Sequence, residues 1–445
     1  MTPPPTQPTF AATPRRAISR RRAVTEGAAA TFAAARLLAP ALFAGCSLGV
    51  ASRSRAVPVG LLHSQTGTMA ISATSLRDVQ LFAIEKINTA GGVLGYQLEA
   101  RSPDPRSRPE LFVKRAGQLL DLGAAAVFGC WTSVSRKVVL PLFEERNKLL
   151  FYAVQYEGNE SSKNVVYGGG VPNQQILPAL DWLMSAEGGL KKRVYLLGSD
   201  YVFPRTANFV AKKYLKSKNL KPAGEDYYPL GHADFTSAVK AIVDSGADCV
   251  LNTINGNSNL AFFAALSAAK VDPAKLTVVS TSIAEDELRS LLPRQVKGHL
   301  AVAGYFQSLP TEENRRWVAD FRNEFGFDRV TGDAMESAFC LVHLWKKAVE
   351  KAGSFDTTAV RQAFADGIEF DGPGGKIRLD PKNQHCTKYF RVGRIRDDRQ
   401  FDIVYSSDAP IEPDPYPQIA FPGWSCDWTK GGITRGAEVD INGDV

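Results

Sequence analysis

The sequence lacks the residue patterns that most enzymes and metal proteins need. Its five histidines are isolated, with no HxH or HExxH spacing, and its six cysteines form no CxxC pair. The segments Gly198-Ser199-Asp200 and Gly372-Pro373-Gly374-Gly375-Lys376 lack the spacing of a GxSxG elbow and of a Walker motif. We therefore expect no enzymatic activity, no metal site and no cofactor.

The sequence also lacks a surplus of one charge over most of its length. The formal net charge of +7 comes from residues 1–55, which hold eight arginines and one glutamate, so residues 56–445 sum to zero. Binding to nucleic acid through counterion release requires a strongly basic surface. We therefore expect no nucleic-acid partner.

Residues 1–55 have the composition of an export signal. A basic stretch, Ser19-Arg20-Arg21-Arg22, precedes an alanine-rich apolar stretch and then Leu42-Phe43-Ala44-Gly45-Cys46. The arginines resemble a twin-arginine signal, and the last five residues resemble a bacterial lipobox, in which the cysteine is lipidated. A transmembrane helix is the alternative, but Arg36 interrupts an apolar run shorter than the roughly 20 residues that a bilayer needs. We predict a periplasmic or cell-surface lipoprotein that is anchored to the membrane through Cys46.

The remaining chain alternates apolar runs of strand length with amphipathic helical stretches, and it is long enough for two hydrophobic cores. The predicted strands are 57–63, 97–100, 124–128, 149–154, 193–198, 248–253, 276–280 and 300–307. A first helix begins at a capping box formed by Ser75 and Asp78, and the later helices are 110–122, 134–147, 206–217, 258–269, 312–325 and 333–352. This alternation predicts an α/β fold with two doubly wound parallel sheets, one in each of two lobes.

The loops after the predicted strands are the candidate ligand site. In open parallel sheets, ligands lie beyond the carboxyl ends of the strands. These loops are rich in hydroxyls, amides and aromatic rings and poor in charge, and they are 63–68, 130–133, 154–158, 198–201, 252–256 and 280–285. Loops of two sheets that face one another predict a cleft for a small, polar, uncharged molecule.

The stretch FGCWTSVSRK (128–137) shows the expected design of such a loop. Gly129 is expected to allow a sharp turn, Thr132 or Ser133 to cap the next helix, and Trp131 to form a flat apolar wall against the ligand. The alternative is that Ser133 is only a cap and that Trp131 only covers the edge of the lobe.

Several motifs resemble those of the substrate-binding proteins of urea ABC transporters and, more loosely, the amide-sensing proteins that regulate bacterial amidase operons. They are FGCWTSVSRK, QYEGNESS, PNQQILPALDW, GSDYVFPRTAN, NTINGNSN and SIAEDELR, in this order. These families are type I periplasmic binding proteins, which are similar to the branched-chain amino-acid binders. The resemblance implies two lobes that close on a ligand, a hinge that the chain crosses several times, and a membrane permease as partner. It implies that lobe 1 is 56–172 plus 304–378, that lobe 2 is 173–303 plus 379–411, and that a C-terminal extension is 412–445.

The resemblance also implies ligand contacts for matched positions, which are Trp131, Ser133, Tyr152, Tyr156, Glu157 and Tyr201. Thr132 is a further candidate contact because its hydroxyl lies in the same strand-end loop. Urea is planar and neutral, with four N–H donors and one carbonyl acceptor. Glu157, Glu285 and the side-chain oxygen of Asn255 could accept from it, and Ser133 could donate to it. The alternative is that the two glutamates only serve a turn and the first turn of a helix.

Two motifs depart from the urea-type pattern. Asn257 stands where an aspartate is usual, and Ala303-Gly304-Tyr305-Phe306 stands where a Trp-Asn pair is usual. The predicted ligand is therefore urea or another short-chain amide. An amide-sensing regulator and a branched-chain amino-acid-binding protein are the alternatives on the same fold.

Overall fold

A computed structural model describes residues 56–441 of the chain. The predicted export signal with Cys46 and the last four residues of the predicted C-terminal extension lie outside the described residues.

The first sheet is fully parallel and has five strands. Their bounds are β1 Ala56–Leu62, β2 Gln97–Arg101, β3 Val127–Gly129, β4 Leu150–Tyr152 and β5 Val165–Tyr167. Their order across the sheet is β2-β1-β3-β4-β5. Helices cover both faces of such a sheet, so its inner strands are continuous apolar runs rather than alternating ones.

The second sheet has seven strands. In chain order the remaining strands are β6 Val194–Ser199, β7 Gly224–Tyr228, β8 Cys249–Thr253, β9 Thr277–Ser280, β10 Leu300–Ala303, β11 Ile368–Gly372, β12 Gly375–Leu379, β13 Arg391–Ile395, β14 Phe401–Ser406, β15 Ser425–Asp427 and β16 Gly432–Thr434. The order in the second sheet is β14-β13-β10-β9-β8-β6-β7. The pairings of β13 with β10 and with β14 are antiparallel. The strands β11 with β12 and β15 with β16 form separate two-stranded pairs.

Helices pack around both sheets. Their bounds are α1 Ala70–Thr89, α2 Pro109–Asp121, α3 Ser133–Glu145, α4 Ile176–Met184, α5 Val202–Ser217, α6 Thr236–Asp244, α7 Ser258–Ala268, α8 Glu285–Leu288, α9 Pro293–Val296, α10 Glu312–Phe325, α11 Asp333–Ala352 and α12 Thr357–Ala363. Helices α10 and α11 share one hydrophobic core with the first sheet; for example, the rings of Trp345 in α11 and Phe128 in β3 lie edge to face with centroids 5.8 Å apart. No helix between residues 56 and 441 combines the length and the apolar character needed to cross a bilayer.

The predicted α/β fold class is confirmed, and we keep the names lobe 1 and lobe 2 for the parts built on the first and second sheets. Several predicted boundaries are wrong; for example, the helix expected at 206–217 begins at Val202, and the strand expected at 124–128 begins at Val127. The strand expected at 300–307 ends at Ala303, and α1 begins at Ala70 rather than at the expected capping box. Ser75 and Asp78 lie inside α1, where Ser75 donates to Asp286 of lobe 2 and Asp78 pairs with Arg329. Tertiary partners, not a helix end, therefore account for these two polar residues.

The end of β3 leads the chain into the predicted ligand loop. Gly129 is its last residue, and a Cβ there would lie 2.6 Å from the carbonyl oxygen of Leu62 in β1. Glycine is thus needed because two strands approach closely. The left-handed turn is made by Cys130, whose φ is 67°, at a cost of about 1–2 kcal/mol. The prediction that Gly129 supplies the turn is therefore wrong.

Candidate functional site

The N-terminus of α3 carries the first polar groups of the candidate site. Thr132 is the N-cap residue, and its hydroxyl oxygen accepts from the backbone N–H of Ser135 at 3.1 Å. Ser133 is the first residue of α3, and its hydroxyl donates to Oε2 of Glu157. The predicted capping role of Thr132 is confirmed, and Ser133 is free to serve a tertiary contact.

Arg136, one helical turn after Ser133, is fully buried and is the centre of a cluster of charged side chains. Its Nε donates to Oε1 of Glu160 at 2.7 Å, and its guanidinium lies 3.4 Å from Oε1 of Glu157. It also donates to Ser133 Oγ at 3.2 Å. Lys137 reaches Oε2 of Glu160 at 2.7 Å. We call these five residues the Arg136 cluster, in which two cations meet two carboxylates.

Electrostatics keep Glu160 charged although it is buried. Burial alone would raise its pKa, but the charges of Arg136 and Lys137 outweigh burial and lower the pKa to about 2. Burial likewise disfavours the charge of Arg136, yet the two glutamates raise its pKa above the ordinary value. Glu160 and Arg136 are therefore both charged at neutral pH and form a buried ion pair.

Tyrosine rings enclose the guanidinium of Arg136. Its central carbon lies 4.5 Å from the ring centroid of Tyr152 and 4.4 Å from that of Tyr156, so the cation is stabilised by both aromatic faces. The Tyr152 hydroxyl donates to the backbone oxygen of Trp131 at 2.6 Å. The Tyr156 hydroxyl contacts the Glu160 backbone oxygen and His385. Tyr152 thus links the Arg136 cluster to the loop that holds Trp131, and Tyr156 links the cluster to His385.

Tyr201 brings lobe 2 to this cluster. It is the residue before α5 and is partly exposed. Burial raises the pKa of its hydroxyl, and the neighbouring Tyr152 hydroxyl and Glu157 carboxylate raise it further. These charge effects indicate that Tyr201 of lobe 2 lies near Tyr152 and Glu157 of lobe 1.

Two predicted site residues have their contacts elsewhere. The side-chain N–H of Asn255 donates to Thr253 O at 3.1 Å, within its own strand-end loop. Glu285 Oε1 accepts from the backbone N–H of Gln307 at 2.6 Å, and Oε2 has no hydrogen-bond partner within the described part of the chain. Burial raises the pKa of Glu285 to about 8. The hydrogen bonds of these two residues therefore do not join them to the Arg136 cluster.

The two lobes contact each other directly beside the site. Gln155 of lobe 1 donates to Thr281 O at 2.9 Å and to Ser282 Oγ at 2.8 Å in lobe 2. On α1, Ser72 donates to Glu287 in lobe 2. The structure therefore corresponds to a closed arrangement of the strand-end loops.

Sequence reasoning misses Arg136 and Glu160 as site residues. A signal was present for Arg136 alone, because it follows Ser133 by three positions in a predicted helix, which is close to one helical turn. Burial of a charged pair is a tertiary property, however, and an arginine in a helix is usually exposed. Residues 56–441 hold no group of three or more His, Cys, Asp or Glu side chains placed to bind a metal ion.

Comparison with known proteins gives a family match over most of the chain. The family described as periplasmic binding protein domain matches residues 57–421. The leucine-, isoleucine-, valine-, threonine- and alanine-binding protein of Pseudomonas aeruginosa is 25% identical over 358 residues, which cover 77% of this chain and 91% of that protein.

Three further likenesses are more limited. Limonene hydroxylase of Geobacillus stearothermophilus is 31% identical over 118 residues, which are 26% of this chain and 21% of that protein. The chain thus spans about a fifth of the length of that relative, and it spans 45% of a Leu/Ile/Val-binding homologue of Brucella melitensis. The solute binding protein of an ABC transporter from Rhodopseudomonas palustris BisB5, in complex with 3,4-dihydroxybenzoic acid, superposes with a TM-score of 0.72 at 20% identity, over 80% of this chain and 99% of that chain. This last likeness concerns the fold alone.

Proposed function

The chain belongs to the periplasmic binding protein family, and on that premise we propose that it is the extracytoplasmic substrate-binding component of an ABC importer, which binds urea or a short-chain amide between its lobes. The ligand contacts in this proposal are Trp131, Ser133, Tyr152, Glu157 and Tyr201. It has no enzymatic step.

The observation that carries the choice of ligand is the charge balance of the Arg136 cluster. Both of its cations already lie against Glu157 and Glu160. A ligand carboxylate, such as that of an amino acid or an aromatic acid, would compete for Arg136 and leave a buried glutamate unpaired, at a cost of several kcal/mol. A neutral ligand carries no such cost.

An amide matches the groups that remain available. A carboxylate has about four lone-pair sites, and Glu157 uses two of them on Ser133 and Arg136. Its other sites suit the N–H donors of an amide. The Trp131, Tyr152 and Tyr201 side chains supply aromatic surface for a flat molecule.

Closure of the lobes is needed on energetic grounds. Micromolar affinity corresponds to about 8 kcal/mol, whereas one solvated hydrogen bond contributes only about 0.5–1.5 kcal/mol. A urea-sized ligand forms few bonds, so they must form where water is excluded. The contacts of Gln155 with Thr281 and Ser282 support such a closed state, which would also give the permease a distinct shape to recognise.

Calorimetry with the purified protein tests the proposal. We expect urea or acetamide to bind and leucine and 4-hydroxybenzoate not to bind. Trp131→Ala should weaken the amide at least tenfold, which is about 1.4 kcal/mol, while Trp428→Ala in the C-terminal extension should leave binding unchanged. If leucine binds and the amides do not, the branched-chain amino-acid alternative replaces this proposal.

We also propose that Cys46 carries a lipid anchor and that the protein lies in the periplasm or at the cell surface. The support is the order of basic, apolar and Leu-Phe-Ala-Gly-Cys segments in residues 19–46. A cytoplasmic amide sensor would have no use for these segments.

A further inference from the structure

A cavity of about 200 Å³ lies beside Trp131. Its walls come from the loops after β1, β2 and β3 and from the first turns of α2 and α3, and they include Met69, Phe112 and Trp131. Helix α3 connects the cavity with the Arg136 cluster, because its residue Ser135 lines the cavity and the next residue, Arg136, is the centre of the cluster. The cavity and the cluster therefore adjoin the same first turn of α3.

Lobe 2 covers the cavity with Leu230. This residue lines the cavity and packs against the hydrophobic core of lobe 1. Beside it, a Cβ on Gly256 would lie 3.0 Å from Met69 Sδ and from Thr68 O. The cavity is therefore complete only where the two lobes touch, as a site for a captured ligand must be.

The lining favours an apolar occupant. Among the described residues that line the cavity, none is charged. Three of its hydroxyls have local hydrogen bonds: Ser64 Oγ accepts from Ser107 N, Ser107 Oγ donates to Thr66 O, and Ser135 Oγ donates to Thr132 O.

One polar group of the lining is still available. Trp131 is 9% exposed, and its indole N–H has no acceptor within residues 56–441. The lining thus offers the indole N–H and a few hydroxyls beside mainly apolar contact and no charge, which does not suit a charged group.

We propose that this cavity is a second subsite, which takes the apolar substituent of an amide whose amide group lies at the Arg136 cluster. The inference rests on the proposed amide-binding function and narrows it to substituted amides, larger than urea. The cavity volume of about 200 Å³ agrees with this proposal, because an apolar cavity of about 150 Å³ is sufficient to bind benzene. A propyl or phenyl substituent therefore fits the space, whereas urea leaves it empty.

The test is a calorimetric series of acetamide, butyramide and benzamide, with benzoate as the charged counterpart of benzamide. Each buried methylene contributes roughly fourfold in affinity, so butyramide should bind roughly fifteenfold more tightly than acetamide. Benzamide should bind, and benzoate should not.

A variant localises the effect. Leu230→Trp fills the cavity from lobe 2. In this variant the affinities for butyramide and acetamide should be about equal, while acetamide still binds. Leu292→Trp makes the same change at an exposed leucine of lobe 2 and should keep the full advantage. A thermal unfolding scan of both variants identifies any loss of folding.

The outcomes separate the two claims. The subsite is refuted, and the amide function stands, if acetamide binds and butyramide binds no more tightly. The same conclusion follows if Leu230→Trp keeps the full difference in affinity between butyramide and acetamide. If no amide binds and benzoate or leucine does, both are refuted.

Discussion

The ion pairs of Arg136 make a quantitative prediction about stability. Arg136→Met keeps most of the length of the side chain but removes its charge, which leaves Glu157 and Glu160 buried with only Lys137 nearby. Removal of one partner from a buried ion pair costs about 3–5 kcal/mol. The fall of the pKa of Glu160 from 4.5 to about 2 corresponds to about 3 kcal/mol, which Arg136 and Lys137 supply together, with Arg136 the larger contributor.

The direction of the pH dependence follows from the same shift. A carboxyl whose pKa is depressed in the folded protein stabilises the fold above its unfolded pKa of 4.5, and this contribution is lost as the pH falls through about 2. The free energy of unfolding should therefore differ by about 3 kcal/mol between the wild type and Arg136→Met at pH 7, and the difference should shrink below pH 4.5. A pure packing defect would show no such change with pH.

Guanidinium chloride unfolding, followed by tryptophan fluorescence, measures these free energies. Urea is unsuitable as a denaturant because it is a candidate ligand. Arg146→Met is the matched control, because Arg146 follows α3 and pairs with Asp121 at the surface, where both side chains are more than a third exposed. Such pairs contribute at most about 1 kcal/mol. Equal losses in the two variants at pH 7, or a loss in Arg136→Met that is the same at pH 3, would refute the reasoning.

Two further predictions concern other parts of the chain. Burial raises the pKa of Glu285 to about 8. Its contribution to stability is therefore fully present below pH 4.5 and is lost as the pH rises through 8. Glu285→Gln should reduce this loss of stability, measured by thermal unfolding at different pH values, and Glu313→Gln at an exposed position should not. If Glu285→Gln shows the wild-type profile, the carboxyl is not buried as described. Labelled palmitate should be incorporated into the full chain in a bacterial host, and Cys46→Ala should abolish the label whereas Cys426→Ala should not; label retained in Cys46→Ala would exclude the anchor.

Local patterns predict most of the sheets and helices of this protein. Apolar runs such as Cys249–Thr253 lie buried on both sides, and helices such as α10 and α11 show their burial in the spacing of apolar residues, so their bounds follow closely from the sequence. Short or partly exposed strands are missed, among them β7, in which every residue is only partly buried. Its sequence, Gly-Glu-Asp-Tyr-Tyr, is a strand because β6 offers it a parallel partner.

The candidate site is predicted less completely than the fold. Ser133, Tyr152 and Glu157 are named from motifs, and the structure brings all three to Arg136. Trp131 is joined to Tyr152 through its backbone oxygen. Arg136 is missed although it is the cation that pairs with Glu157. The helical pattern in the sequence does not distinguish a buried arginine from an exposed one. Glu285 is placed in the site by its strand-end position, yet its hydrogen bond goes to Gln307.

The sequence by itself determined the alternation of strands and helices, the neutral charge of residues 56–445 and the polar, aromatic character of the strand-end loops. These properties depend on neighbours within a few positions along the chain. Only the tertiary structure decided that Arg136 is fully buried between two tyrosines and two glutamates, and that Leu230 of lobe 2 closes a cavity beside Trp131 of lobe 1. Such contacts join residues far apart in the chain, and they form only because packing of the two sheets fixes which loops face one another.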